Sequence, residues 1–282
     1  MNTSKKNILT TVMLAGAMMF GMMAKAQVLT PEDDGIIPDP PKHFHHNRVV
    51  PYPFLREADM LWSYRHWERI YMKEKINMPM YYPIQDVPDR KSLYSVLRDG
   101  ILEEGTITEV FGDDRFEIPL TEQEVQQRIM RVDTTWDPDD PTVIILIDTI
   151  KINPNNVIAF DIKSDWYFDK QRGELKNRII GISPRAQDPK TKDVYNLFWV
   201  WFPDARYALS THVAYNMYNN NNRLTFDQLL HLRMFNSVIY KEDNVYDRTI
   251  AEYKRNSPMD QLLEAQHIKD KLRNMEHDMW EY

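Results

Sequence analysis

The side chains with the most latent chemistry are the histidines of His43-Phe44-His45-His46. Neutral imidazoles bind zinc and copper well. A structural or catalytic metal site, however, needs three or four ligands held rigidly. These histidines sit in a proline-rich stretch, and no H-E-x-x-H pairing occurs in the chain. They read as solvated or interface residues, and no metal is expected. Nucleophilic chemistry is equally thin, since there is no Cys and no G-x-S-x-G elbow. The remaining histidines, His66, His212, His231, His267 and His277, match no triad order, although triads are defined by geometry. Glu103-Glu104, Asp113-Asp114 and Asp139-Asp140 are paired acids. Glycoside hydrolysis needs two carboxylates at a set separation, one with a raised pKa, and adjacency supplies neither. Asp137–Asp140 offers oxygen ligands but lacks the spacing and the Gly of a calcium loop. With only 8 Gly, a phosphate-cradling loop is absent too. The expectation is a chain with no catalytic residue and no cofactor. Two alternatives stay open: an exported hydrolase with an unrecognised site, which would show a pocket of strongly shifted titratable groups, and a periplasmic ligand-binding protein, which would enclose one large apolar pocket.

What the sequence does supply is aromatic surface: 7 Trp, 15 Tyr and 11 Phe, often beside Arg. Trp, Tyr and Arg dominate interface hot spots. Most of these aromatics belong in a core. The better interface candidates face away from an apolar stripe. Residues 54–76 read as a helix whose stripe is Met60, Tyr64, Trp67 and Tyr71, at i, i+4, i+7 and i+11. Trp62, Arg65 and Arg69 fall on the opposite side and are predicted to meet a partner.

The elements that must position these residues follow from composition and pattern. Lys5 and Lys6, an uncharged apolar run Ile8–Met23 and Ala24-Lys25-Ala26 have the layout of a cleaved secretory leader, 1–26. No later stretch is long and apolar enough to cross a bilayer, so direct membrane insertion is not expected. A chain without Cys in an oxidising compartment gains nothing from disulfides. Its stability must come from a core or from assembly. The chain has 35 basic and 42 acidic residues; removing a leader with three Lys and no acid leaves 32 against 42, or −10. That balance argues against nucleic acid and against anionic lipid.

Residues 27–53 contain Pro31, Pro38, Pro40, Pro41, Pro51 and Pro53 around an acidic run Glu32-Asp33-Asp34. Such a stretch reads as an extended arm near polyproline II. A core domain spans 54–257. In it Lys91–Leu102 reads as a helix, with Gly100 speaking against it. Thr106–Val110 and Arg115–Ile118 read as short strands, and Thr121–Glu124 as a helix start with Glu three residues after a Thr cap. Thr142–Ile152 is rich in β-branched residues. In 157–169, Ile158, Phe160, Ile162, Trp166 and Phe168 alternate with Asp161, Lys163, Asp165 and Asp169. That predicts a strand with one buried and one wet face. Lys170–Gly173 reads as a turn and Glu174–Ser183 as the returning strand. Leu197–Phe202, apolar at both parities, reads as a central strand covered on both sides. Leu224–Phe235 and Val245–Tyr253 read as helices, and Asn219–Asn222 as a loop tip. Residues 258–282 form a C-terminal helix from about Met259 to Trp280. Its seam of Ala265, Ile268, Leu272, Met275 and Met279 steps by 3 and 4, as a helix does when it packs on one partner. The class expected is α+β: an antiparallel β-sheet core with flanking helices, an extended Pro-rich arm and a C-terminal helix.

Several long segments, in order, resemble the GldN/PorN family of the type IX secretion system: LWSYRHWERIYMKEKINMPMYYP (61–83), SLYSVLRDGI (92–101), DWYFDKQRGELKNRIIGISP (165–184), LFWVWFPDAR (197–206), IYKEDNVYDR (239–248) and EHDMWEY (276–282). The resemblance implies a periplasmic structural subunit of a ring beneath the outer membrane. It also implies an outer-membrane lipoprotein partner, the K component, other copies of the chain, and communication with the inner-membrane L–M motor. The machine exports proteins and in some members drives gliding. The family carries no catalytic residues to transfer. Residues 207–223 and the arm match least. A ring subunit must present two complementary faces, and the arm and the 259–280 helix are the segments expected to reach a neighbour or the lipoprotein.

Overall fold

The computed structural model describes residues 49–87, 90–136, 144–216, 224–255 and 257–279, with the backbone alone for 131–136 and 144–150. The leader, the arm up to residue 48 with its three histidines, Asp137–Asp140, Asn219–Asn222 and Trp280 lie outside the described residues.

In chain order the elements are β1 (Met60–Tyr71), the one-turn α1 (Met78–Tyr81), α2 (Leu93–Leu102), β2 (Val110–Phe111), α3 (Glu122–Ile129), β3 (Met130–Trp136), β4 (Ile144–Lys151), β5 (Val157–Asp169) and β6 (Glu174–Gln187). There follow β7 (Val194–Asn196), β8 (Trp199–Trp201), α4 (Phe202–Thr211), β9 (Val213–Ala214), β10 (Leu224–Thr225), α5 (Phe226–His231), β11 (Val238–Glu242), α6 (Ile250–Tyr253) and α7 (Pro258–Asp278). The fold is α+β. Its main sheet runs β11-β1-β5-β6-β8-β2, with β7 beside β6, and every pairing is antiparallel. β3 and β4 form a separate ribbon, joined to the body through α3 and the bond from Ile152 N–H to the Ile129 carbonyl.

The β5–β6 hairpin forms where alternation and turn residues place it. Gly173 closes the turn at φ +63°, a conformation Gly adopts at no steric cost. Thr121 and Glu124 make the reciprocal capping box that starts α3. α2 begins on Ser92, whose hydroxyl accepts from Ser95 N–H. Gly100 belongs in that helix because a Cβ there would come within 3.0 Å of Ile107 Cδ1.

Residues 60–71 are a strand, not the predicted helix. Helical and strand periods coincide at Met60 and Tyr64, so the stripe was ambiguous. The segment's aromatics favour the pleated state. Its arginines meet aspartates at the matching register of β5, Arg69 opposite Asp161 and Arg65 opposite Asp165. As a result Trp62 does not share a side with Arg65 and Arg69, because strand neighbours of opposite parity point apart.

The apolar face of this sheet, including Ile70, Phe160, Ile162 and Ile182, is buried against residues of α2, α4 and α5 such as Leu97, Phe202, Leu209 and Phe226. Each such side chain contributes roughly 1.5–3 kcal/mol by leaving water. The other face of β5 is not wet: Asp161, Lys163 and Asp169 are all buried. Leu197–Phe202 is not one central strand either. Only Trp199–Trp201 pairs, Trp201 is exposed, and Pro203 in the first turn starts α4 at Phe202. Thr106–Glu109 and Arg115–Ile118 are irregular, and the helices expected over 224–235 and 245–253 shrink to α5 and α6.

Candidate interaction surface

Two charged knots and one cleft organise the surfaces of the sheet. The first knot lies on the face shared by Arg69, Trp67 and Arg65 of β1 and Asp161, Lys163 and Asp165 of β5, which stand opposite one another pair by pair. Arg69 grips the buried Asp161 with Nε at 2.7 Å and Nη2 at 3.1 Å. Arg185 Nη1 reaches the same carboxylate at 3.4 Å, and Asn196 Nδ2 at 3.2 Å. Burial opposes the charge on Arg69, yet its hydrogen bonds to Asp161 win, and its pKa is raised. Arg65 makes a similar fork on Asp165 at 2.7 and 2.8 Å. Between them Lys163 donates to the Asp114 carbonyl and lies over the Trp67 and Phe116 rings. Trp67 Nε1 donates to the Asp114 carboxylate at 2.9 Å. Burial, with Arg65 nearby, lowers the Lys163 pKa. The loop around Asp114 thus closes over what sequence alternation suggests is open surface.

The second knot is on the opposite parity. Glu68 is buried and accepts from Arg233 Nη2 at 2.6 Å and Ser237 Oγ at 2.6 Å. Burial alone would raise its pKa; Arg233 and Ser237 more than compensate and lower it. Two residues away in the strand, His66 is fully buried, and neither ring nitrogen has a hydrogen-bond partner among the described residues. It leans on the Tyr64 ring at 4.8 Å. Burial holds its pKa down at about 4, with Glu68 and Asp165 pulling up and Lys271 and Arg233 pushing down. Because the folded pKa lies below the ordinary 6.5, the stability this neutral imidazole contributes is full above pH 6.5 and is lost as pH falls towards 4. Between pH 6 and 5 the loss is expected to be on the order of 1.4 kcal/mol per pH unit. Urea unfolding of the wild type and His66→Phe checks this. The variant's stability is expected to be flat in that window; equal slopes would refute the assignment.

The cleft, ≈ 570 Å³, has Arg69, Asp161, Arg185 and Tyr240 on the sheet side and Ile250, Pro258 and Leu262 on the helical side. Arg69 lies 4.5 Å from the Tyr240 ring centroid. The two buried carboxylates, Asp161 and Glu68, accept from arginines and from the Asn196 amide or the Ser237 hydroxyl, so they do not present a free acid–base pair. Among the described residues no group of three His, Asp or Glu is placed to hold a metal ion, and no helix is long and apolar enough to cross a membrane.

Trp62 is half-buried and stacks on Tyr64 at 5.9 Å. Arg65 and Arg69 are committed to the aspartates of β5. Ile268 and Leu272 are buried within this chain. Ile268 and Ala265 join Ile239 and Ile250 in a second apolar cluster. The seam of α7 therefore faces the chain's own β11 and α6. Lys269 Nζ adds a bond to the Ser237 carbonyl. Met275 and Met279 are half-buried. The apolar residues that α7 leaves outward are Met259, Leu262 and Leu263. They were visible in the sequence as hydrophobes off the 3–4 seam. Arg185 and Tyr240 gave no signal, because only the register of β6 and β11 brings them beside Arg69.

No curated protein matches the chain. The family described as gliding motility associated protein GldN matches residues 55–281, which takes in the whole sheet, both knots and α7. By that match the chain belongs to the GldN family.

Proposed function

We propose that this chain is a structural, non-enzymatic subunit of the type IX protein secretion machinery, exported to the periplasm and held at the outer membrane by a lipoprotein partner, the K component, with which it builds a ring. The observation that carries this reading is the GldN match across almost all of the described chain, a family tied to gliding motility and type IX secretion. The chemistry of the surfaces agrees with it: buried carboxylates are consumed by arginines, while outward positions include Trp201, Tyr207, Leu262 and Tyr246. Further copies of the chain, and the periplasmic part of the L–M motor, complete the proposed partners. The ring supports protein export and, where the organism glides, motility.

The test is affinity purification of the tagged chain from solubilised envelopes. The lipoprotein is expected to co-purify in near-stoichiometric amount and to be reduced when residues 27–53 are deleted. Recovery of the chain without any lipoprotein would reject the reading.

A further inference from the structure

The two ends of α7 carry complementary chemistry. At its start, Pro258, Gln261 and Leu262 wall the cleft above Arg69, Asp161 and Arg185. That floor holds two guanidiniums against one carboxylate. Asp161 is saturated by Arg69, Asn196 and Arg185. Arg185, a quarter exposed at 26%, reaches Asp161 and Asn196 only at 3.4 Å and only through Nη1. Its Nε and Nη2 donate to no other group among the described residues, and a guanidinium in that state can offer a two-bond fork to a carboxylate. Tyr71 and Leu262, 41% and 52% exposed, line the mouth. Met259, one turn before Leu262, and the adjacent Leu263 are exposed and extend the apolar rim. The ligand this cleft fits is a carboxylate flanked by apolar and aromatic side chains.

The far end of the same helix has that composition. Glu276, Asp278 and Glu281 are interleaved with Met275, Met279, Trp280 and Tyr282. Glu276 and Asp278 are exposed. At 1.5 Å per residue, about 24 Å of helix separates Leu262 from Asp278. Glu276 and Asp278 are held within that helix, so neither can return to its own copy's cleft. The tail of a second copy is free of that limit.

We propose that the cleft takes the 276–282 segment of a second copy of this chain, with Arg185 as the anion anchor and Leu262 and Tyr71 as the apolar contacts. The contact is heterologous, pairing one end of α7 with the opposite end of its neighbour's, and repetition of such a contact generates a closed ring or a filament. It deepens the ring-subunit reading, on which its role in the cell rests.

The experiment is fluorescence anisotropy of a labelled, C-terminally amidated 274–282 peptide with the chain lacking its leader, residues 27–282. Saturable binding is expected, weakened roughly tenfold or more by Arg185→Glu. A peptide carrying Asp278→Lys and Glu281→Lys is expected to lose affinity for the wild type and to regain it for Arg185→Glu. Leu262→Glu lies on the exposed rim, where the fold tolerates it, and is expected to weaken binding as well. Absence of saturable binding, or equal affinity for wild type, Arg185→Glu and Leu262→Glu, would overturn the contact. Because lipoprotein co-purification is scored separately, a negative peptide result with the lipoprotein retained overturns only the cleft–tail contact.

Discussion

Asp161→Ala is expected to cost the fold roughly 3–5 kcal/mol, the penalty for removing one partner of a buried ion pair. Asp161 sits on the central strand, 1% exposed, and neutralises Arg69 from one side and Arg185 from the other. Its loss leaves Arg69 buried to 19% side-chain exposure without its bidentate acceptor. A small domain has only about 5–15 kcal/mol in hand, so the variant is expected to be partly unfolded at moderate temperature. Asp161→Asn keeps shape and one acceptor, and its cost is expected to be smaller. Urea melts of the two variants beside wild type read this directly. A change under about 1 kcal/mol for Asp161→Ala would mean that Arg69 finds another acceptor or water.

Glu68→Ala is expected to be comparably damaging, again roughly 3–5 kcal/mol, for a different reason. Glu68 ties four segments together: its own strand β1, Ser164 of β5, Arg233 after α5, and Ser237 just before β11. Arg233 also donates to Asn177 at 3.0 Å and lies over the Trp166 and Phe235 rings. Those contacts hold its guanidinium in place but do not neutralise it. A double-mutant cycle of Glu68→Ala with Arg233→Ala is expected to give a coupling energy above about 1 kcal/mol. Additive effects would show the two residues act independently. Since the Glu68 pKa is lowered, this stability is present above the ordinary carboxylate range and is lost as pH falls through the folded value. His66 begins to act at higher pH, from about 6.5 downwards, so its contribution is lost first on acidification.

The sequence was legible where a pattern had one physical solution. The β5–β6 hairpin needed alternation plus a Gly turn, and both were present. The Thr121–Glu124 box and Pro258 set helix starts locally. It was not legible where charges serve a core. Arg69 and Asp161 look like solvent residues one at a time, and are drawn inward only as a pair on neighbouring strands. That pairing is non-local, so no window of sequence contains it. The same fact explains the wrong helix at 54–76: its arginines marked a sheet partner, not a polar helix side. Of the α7 seam, Ala265, Ile268 and Leu272 are buried, and Ala265 and Ile268 pack with Ile239 and Ile250 of the same chain. Arg185 was missed because its significance depends on β6 placing it beside Asp161.

As a proposed ring subunit, the chain is expected to work only when bound into a larger frame. The mass of the native particle released from envelopes by mild detergent measures that most directly. A complex many times the mass of one chain, containing the lipoprotein, is the predicted result. A solitary chain at the mass of a single polypeptide, released without the lipoprotein, would contradict it.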